Sequence, residues 1–149
     1  MVEKTIVRET FILSNKLKRL LEKRYSKYGL FSGQARILMY LYRKKDERIY
    51  QKDIEQAYQI RGGTVSGLLD NLESNGYINR VSSEIDKRKK LIVLTDKGKE
   101  ISFKSINMVN SFEEDVLKLL TKNEIDAFYS INKKLNKYID EEELYEKTI

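Results

Sequence analysis

Four consecutive cations, Lys87-Arg88-Lys89-Lys90, stand directly before an apolar run, Leu91 to Leu94, in the stretch SEIDKRKKLIVLTDKG, Ser83 to Gly98. Lysine and arginine carry donors and positive charge and no acceptor, so the chemistry open to such a cluster is the neutralisation of phosphates, driven by release of their counterions. An exposed, solvated turn would carry the same residues, and charge alone does not choose between the two. Other chemistries are short of reagents. The 149 residues include no Cys and no His, which removes thiolate nucleophiles, thiol redox sensing, and the commonest general base and metal ligand. No spacing singles out a carboxylate pair or a glycine loop that would cradle a phosphate, so the chain is not expected to be an enzyme, and no cofactor or metal is expected.

Lys and Arg total 29 against 23 Asp and Glu, and the excess is uneven. Residues 1–42 carry nine cations against three anions, residues 43–99 thirteen against nine, and residues 100–149 seven against eleven. A basic body with an acidic C-terminal end suits a polyanionic partner. No apolar run approaches the length of a membrane span and the N-terminus is charged, so no membrane association and a cytoplasmic location are expected.

The elements that would position the basic cluster follow from periodicity. There is no Pro, and few Gly punctuate the chain, so a mainly α fold is expected in one domain with helical extensions. Val7, Phe11, Leu13, Leu17, Leu20, Leu21 and Tyr25 predict a first helix from about Lys4 to Tyr28, ended by Gly29. Ser32 reads as the N-cap of a second helix that turns Ala35, Leu38, Met39 and Tyr42 inward. Tyr50–Tyr58 reads as a short third helix burying Ile54 and Ala57. Gly62-Gly63 interrupts the pattern, and Thr64–Ser74 resumes it with Val65, Leu68, Leu69 and Leu72 as core and Gly76 as the stop. Ile78–Val81 and Leu91–Leu94 then form a hairpin whose tip is DKRKK, residues 86–90. Thr95 caps the next helix, with Asp96 favourable at its N-terminal dipole, and Ile101, Met108, Phe112 and Leu119 carry it to about Leu120. Thr121-Lys122-Asn123-Glu124 is a capping box, flanked by Leu120 and Ile125 as a staple. It opens a last helix with Ile125, Phe128, Ile131, Leu135 and Tyr138, expected to fray into the acidic run 140–143.

That order is the order of a winged helix-turn-helix with a two- or three-stranded β wing and long N- and C-terminal helices. Two helices joined through Gln59–Gly63 would offer the second to a major groove, with the basic hairpin tip beside it.

The stretch from Gly63 to Gly98 resembles the MarR family of bacterial transcription regulators. The carrying residues are Leu72-Glu73-Ser74-Asn75-Gly76, Ile78, Arg80, Asp86-Lys87-Arg88 and Leu94-Thr95-Asp96-Lys97-Gly98. The resemblance implies a homodimer, with residues 33–99 as the DNA-binding winged region and 1–28 and 100–145 as the helical dimerisation region. It also implies residue roles. Arg88 would enter a minor groove, with Asp86 holding its guanidinium as a bidentate pair, and Lys87, Lys89 and Lys90 would contact phosphates. Thr64, Ser66 and Gly67 would lie on or near the groove face. Gly62 and Gly63 would admit a phosphate to the helix N-terminus, although a flexible turn explains them equally. Asp70 would support structure through a basic neighbour. Arg61 departs from the Ser usual in the family at the cap, so the helix start shifts toward Gly62 or Gly63, and Arg61 is free to contact phosphate or a base. Gly67 replaces a larger side chain, which favours reading of DNA shape.

The resemblance further implies a cleft for a small aromatic or anionic effector, lined here by Phe11, Tyr25, Tyr28, Arg36, Met39 and Tyr40, residues that ordinary dimer core would also explain. The function expected is a dimeric, sequence-specific, double-stranded-DNA-binding repressor of a pseudo-palindromic operator. The alternative is a winged interaction module whose basic face docks an acidic protein.

Overall fold

The computed structural model describes residues 5–148, which fall into two units, one ending at Asn107 and one beginning at Met108. In the first unit, α1 (Ile6–Ser26) is capped by Thr5, whose hydroxyl accepts the Arg8 N–H at 3.2 Å. The start expected at Lys4 lies outside the described residues. The helix stops at Ser26 rather than Tyr28, and Gly29, at φ 71°, closes it. The Gly29 N–H reaches the Ser26 carbonyl at 3.1 Å and the Leu30 N–H reaches that of Tyr25 at 3.2 Å.

Helix α2 spans Ser32–Arg43 and corrects the expected cap. Ser32 is the first helical residue, and its hydroxyl is engaged by the Glu22 carboxylate. Gln34 does the capping instead, its side-chain oxygen accepting the Phe31 N–H at 2.9 Å. Ala35, Leu38 and Met39 are buried as expected, joined by Ile37 and Leu41.

Helix α3 (Gln51–Tyr58) buries Ile54, but Ala57 is exposed. The inward stripe runs from Ile54 to half-buried Tyr58, one helical turn on, which leaves Ala57 on the outer side. Helix α4 (Gly62–Ser74) takes both glycines into its first turn, so they do not interrupt it. Val65, Leu69 and Leu72 are fully buried, whereas Leu68 is half-buried beside Gly33. The core gathers side chains of α2, α4 and the sheet. Ile37, Leu38, Leu69, Leu72 and Ile78 expose nothing, each burial stabilising by roughly 1.5–3 kcal/mol.

Strands β1 (Ile78–Ser82) and β2 (Lys90–Leu94) are antiparallel, with Ile78 opposite Leu94 and Ser82 opposite Lys90. The pairing is one residue longer at the tip than expected, so Lys90 belongs to β2 and the loop is 83–89. On the far side of β2 the Ile92 N–H bonds to the Ile49 carbonyl at 2.9 Å, which takes the place of a third strand.

Helix α5 (Asp96–Leu117) begins in the first unit, where Ser102 is buried and donates to the Leu38 carbonyl at 3.1 Å. Thr95 caps it as expected, accepting the Gly98 N–H at 3.0 Å. The division between the units falls within this continuous helix.

The second unit holds the end of α5 and all of α6 (Lys122–Glu146). Helix α5 ends at Leu117, not Leu120, and Leu119 is exposed. The capping box is formed as read, with the Thr121 N–H to the Glu124 carboxylate at 2.7 Å and the Glu124 N–H to the Thr121 hydroxyl at 3.3 Å. The acidic run does not fray. Residues 140–143 are helical, with Lys137 and Glu141 3.8 Å apart one turn from each other, a spacing that offsets part of the acidic repulsion. Phe128, Ile131, Leu135 and Tyr138 follow the helical period and are all exposed on the single chain.

Candidate nucleic-acid interface

Helices α3 and α4 are joined by a turn in which Gln59 adopts φ 51° and the Ile60 N–H returns to the Glu55 carbonyl at 3.2 Å. Arg61 precedes α4 with extended backbone and makes no side-chain cap, so the helix opens on the N–H groups of Gly62 and Gly63, that of Thr64 reaching the Arg61 carbonyl at 3.0 Å. A side chain at Gly62 would press on the Glu55 carboxylate, at 2.9 Å from a Cβ, while positions 63 and 67 face open space. Arg61, Gly63, Thr64 and Gly67 are exposed and Ser66 half-buried.

Two acids on α4 would oppose a polyanion, and both are taken up. Arg80 on β1 pairs with Asp70 at 2.6 Å and Glu73 at 3.1 Å, and Glu73 also accepts the Arg80 N–H at 2.8 Å. Asp70 thus has the basic neighbour expected of it. Hydrogen bonds donated by Arg80 hold the Glu73 carboxyl below the usual carboxylate range, and the same bonds, accepted by Glu73 and Asp70, raise Arg80 in turn.

The wing loop is built on Ser83, which is 1% exposed. Its hydroxyl accepts the N–H groups of Ile85 and Asp86 at 3.3 and 3.4 Å and pairs with the Tyr50 hydroxyl at 3.1 Å. The Lys89 ammonium lies 5.5 Å from the centre of the Tyr50 ring. Asp86 does orient Arg88, but not as a bidentate pair. One carboxylate oxygen takes the Arg88 N–H at 3.0 Å and Nε at 3.3 Å, because a two-residue separation in a tight turn brings Nε, not the terminal fork, to the carboxylate. Arg88 stays 91% exposed at its side chain. Tyr50 and Ser83 were not singled out in the sequence. Nothing local marks a hydroxyl pair between residues so far apart in the chain.

The residues named for an effector cleft divide. Tyr25 and Met39 are buried, and burial raises the Tyr25 phenol pKa. Arg36 lies 5.7 Å over the Tyr58 ring and its carbonyl accepts the Tyr58 hydroxyl at 3.0 Å; Tyr40 packs edge-on to the same ring at 5.9 Å. Tyr58, which sequence reading assigned to α3 alone, is therefore the centre of this cluster. Phe11 is 67% exposed and Tyr28 half-buried. A cavity of about 700 Å³ lies elsewhere, among Leu41, Tyr42, Ile49, Ile92 and Phe103.

A helix-turn-helix followed by an anchored basic hairpin defines the winged helix-turn-helix class of proteins. Within it, the chain belongs to the SarA/Rot family of transcriptional regulators, whose model matches residues 16–104. The chain is 35% identical over 89 residues to the HTH-type transcriptional repressor YetL of Bacillus subtilis, a match covering 60% of this chain and about half (53%) of YetL. It is 33% identical over 119 residues to the HTH-type regulator YwoH of the same organism, covering 76% of this chain and 84% of YwoH. The fold superposes on the S. aureus MepR–DNA complex with a TM-score of 0.86 at 26% identity, covering 92% of this chain and 99% of that one. A Listeria monocytogenes putative MarR family regulator, complexed with 26mer DNA, matches with a TM-score of 0.82 at 25% identity, covering 98% and 96%. The MarR-like reading and the winged-helix fold are both borne out, and the protein is a DNA-binding transcription regulator. No helix among the described residues is long and apolar enough to cross a membrane.

Proposed function

We propose that the chain acts in the cytoplasm as a homodimeric, sequence-specific repressor that binds a pseudo-palindromic operator, with α4 in the major groove and the wing in the minor groove. The observation that carries this reading is the pairing of an open-faced α4 with a fixed basic loop, the two acids of α4 both being paired with Arg80, which offsets one of their two charges. Arg88 is the minor-groove residue, and Lys87, Lys89 and Lys90 are phosphate contacts. Arg61 and the α4 N-terminus at Gly62 and Gly63 meet backbone phosphate, while Thr64, Ser66 and the bare surface at Gly67 face the bases. Two such helices in a dimer would sit roughly 10 base pairs apart. The cluster of Tyr25, Arg36 and Tyr40 around Tyr58 is the part of the expected cleft that favours an aromatic or anionic effector, since it joins rings to a cation.

The test is a mobility-shift titration on duplexes that the protein itself enriches from a random pool, with excess nonspecific competitor and at two salt concentrations. Binding that survives competitor, with a salt slope of about −0.9 per phosphate neutralised, supports the reading. Binding that competitor abolishes would favour docking of the basic face on an acidic protein.

A further inference from the structure

Gln34 is 4% exposed, and both ends of its amide are used. Its oxygen accepts the Phe31 N–H at 2.9 Å, and its nitrogen donates to the Asn71 side-chain oxygen on α4. A buried amide satisfied at both ends is held in one orientation. On one side of it lies the start of α2, where the Ser32 N–H, at 3.1 Å, and the Ser32 hydroxyl both reach the Glu22 carboxylate of α1. On the other side, the Asn71 oxygen also accepts the Asn75 amide at 2.8 Å, and the Asn75 carbonyl takes the Lys97 ammonium of α5 at 2.7 Å.

We propose that Gln34 is a positioning residue for α4, acting through Asn71, so that the angle of the recognition helix is set by the junction of α1 with α2. The inference rests on the DNA-binding reading and adds to it a control point remote from the DNA. Residues 70–75, the end of α4 and its C-cap Asn75, are held from α2 by Gln34, from β1 by Arg80 and from α5 by Lys97, while Gly63 and Gly67 look into open space. The polar ties to α2, β1 and α5 therefore gather at the C-terminal end of the helix, while its first turns are held by buried Val65 and by the Gln51 amide, which donates to the Gly62 carbonyl at 3.1 Å. Thr64 lies about 10 Å along the axis from Asn71, so a tilt of about 10° at the tie displaces it by about 2 Å. Hydrogen bonds to base edges do not survive such a shift, whereas contacts of flexible lysines to phosphates do. Loss of the tie thus lowers the ratio of specific to nonspecific affinity and leaves the nonspecific part intact.

The experiment compares Gln34→Ala, Asn71→Ala and the double variant on an enriched duplex and on a nonspecific duplex. Each single variant is expected to lower the affinity ratio about tenfold, and the double variant by the same tenfold rather than a hundredfold, since the two side chains act as one contact. An unchanged ratio, multiplicative losses in the double variant, or equal losses on both duplexes would overturn the proposal. Asn71 is exposed, so Asn71→Ala leaves the core intact. Should Gln34→Ala not fold, Gln34→Glu takes its place in the cycle, keeping the acceptor for the Phe31 N–H and losing the donor to Asn71. If the wild-type protein enriches no duplex, the DNA-binding reading fails and the tie is judged on the free protein. Backbone amides of residues 72–75 should then exchange faster in the variants, and unchanged exchange would overturn the tie as well.

Discussion

Arg88 meets Asp86 through Nε and leaves its terminal nitrogens turned to solvent, the state of an arginine oriented but not spent. An exposed pair of this kind contributes roughly 0–1 kcal/mol to stability. Arg88→Ala should therefore leave thermal melting unchanged while weakening binding to an enriched duplex by about 1–3 kcal/mol, measured by mobility shift. Glu73 behaves differently, because its pKa is lowered in the folded state by the hydrogen bonds from Arg80. As pH falls through the ordinary carboxylate range the unfolded chain takes up the proton first, so stability present above that range is lost as pH drops toward the folded value. Glu73→Gln should be less stable than wild type at neutral pH and should show a shallower loss on acidification, read from melting at pH 3 to 7. The wing arginine was legible because its motif is local. The Tyr50–Ser83 anchor was not, because it exists only once β1 has brought the loop back to the start of α3.

At the scale of the elements, the junction between α4, the wing and α5 explains both glycine motifs. Gly76, at φ 76°, lets the Tyr77 N–H return to the Leu72 carbonyl at 2.9 Å. Thr95 then donates to the Gly76 carbonyl at 2.6 Å, and Gly98 passes so close that a Cβ would stand 2.0 Å from the Tyr77 oxygen. Gly98→Ala should accordingly cost on the order of 3 kcal/mol or more in a denaturant titration. Gly67, in open space inside α4, is the contrast: Gly67→Ala should raise stability by about 1 kcal/mol. Element order and the two caps at Thr95 and Thr121 were readable, since each rests on short-range pattern, whereas the strands run one residue further toward the tip than their apolar runs and take in Ser82 and Lys90. Ala57 and the acidic run 140–143 misled for one reason: periodicity marks apolar and polar residues but not which turn faces a neighbour, nor how long a helix tolerates like charges.

For the whole molecule, the apolar residues that the single chain leaves exposed are ordered by helix. Val7 and Phe11 on α1, and Phe128, Ile131 and Tyr138 on α6, are each more than half exposed. Residues of that size at helical spacing fit the proposed homodimer, whose melting temperature should rise with protein concentration; a melting point independent of concentration, with a monomer mass in sedimentation, would remove the dimer from the reading. The exposed tip of the wing, residues 87–89, has a consequence of another kind. It presents consecutive lysine and arginine residues, unpaired with any strand, to whatever protease is in solution. Trypsin should cut the free protein there first, between β1 and β2, and a bound duplex should shield the bonds. Digestion in the presence and absence of DNA would then report occupancy of the wing on an ordinary gel, with no label on either molecule.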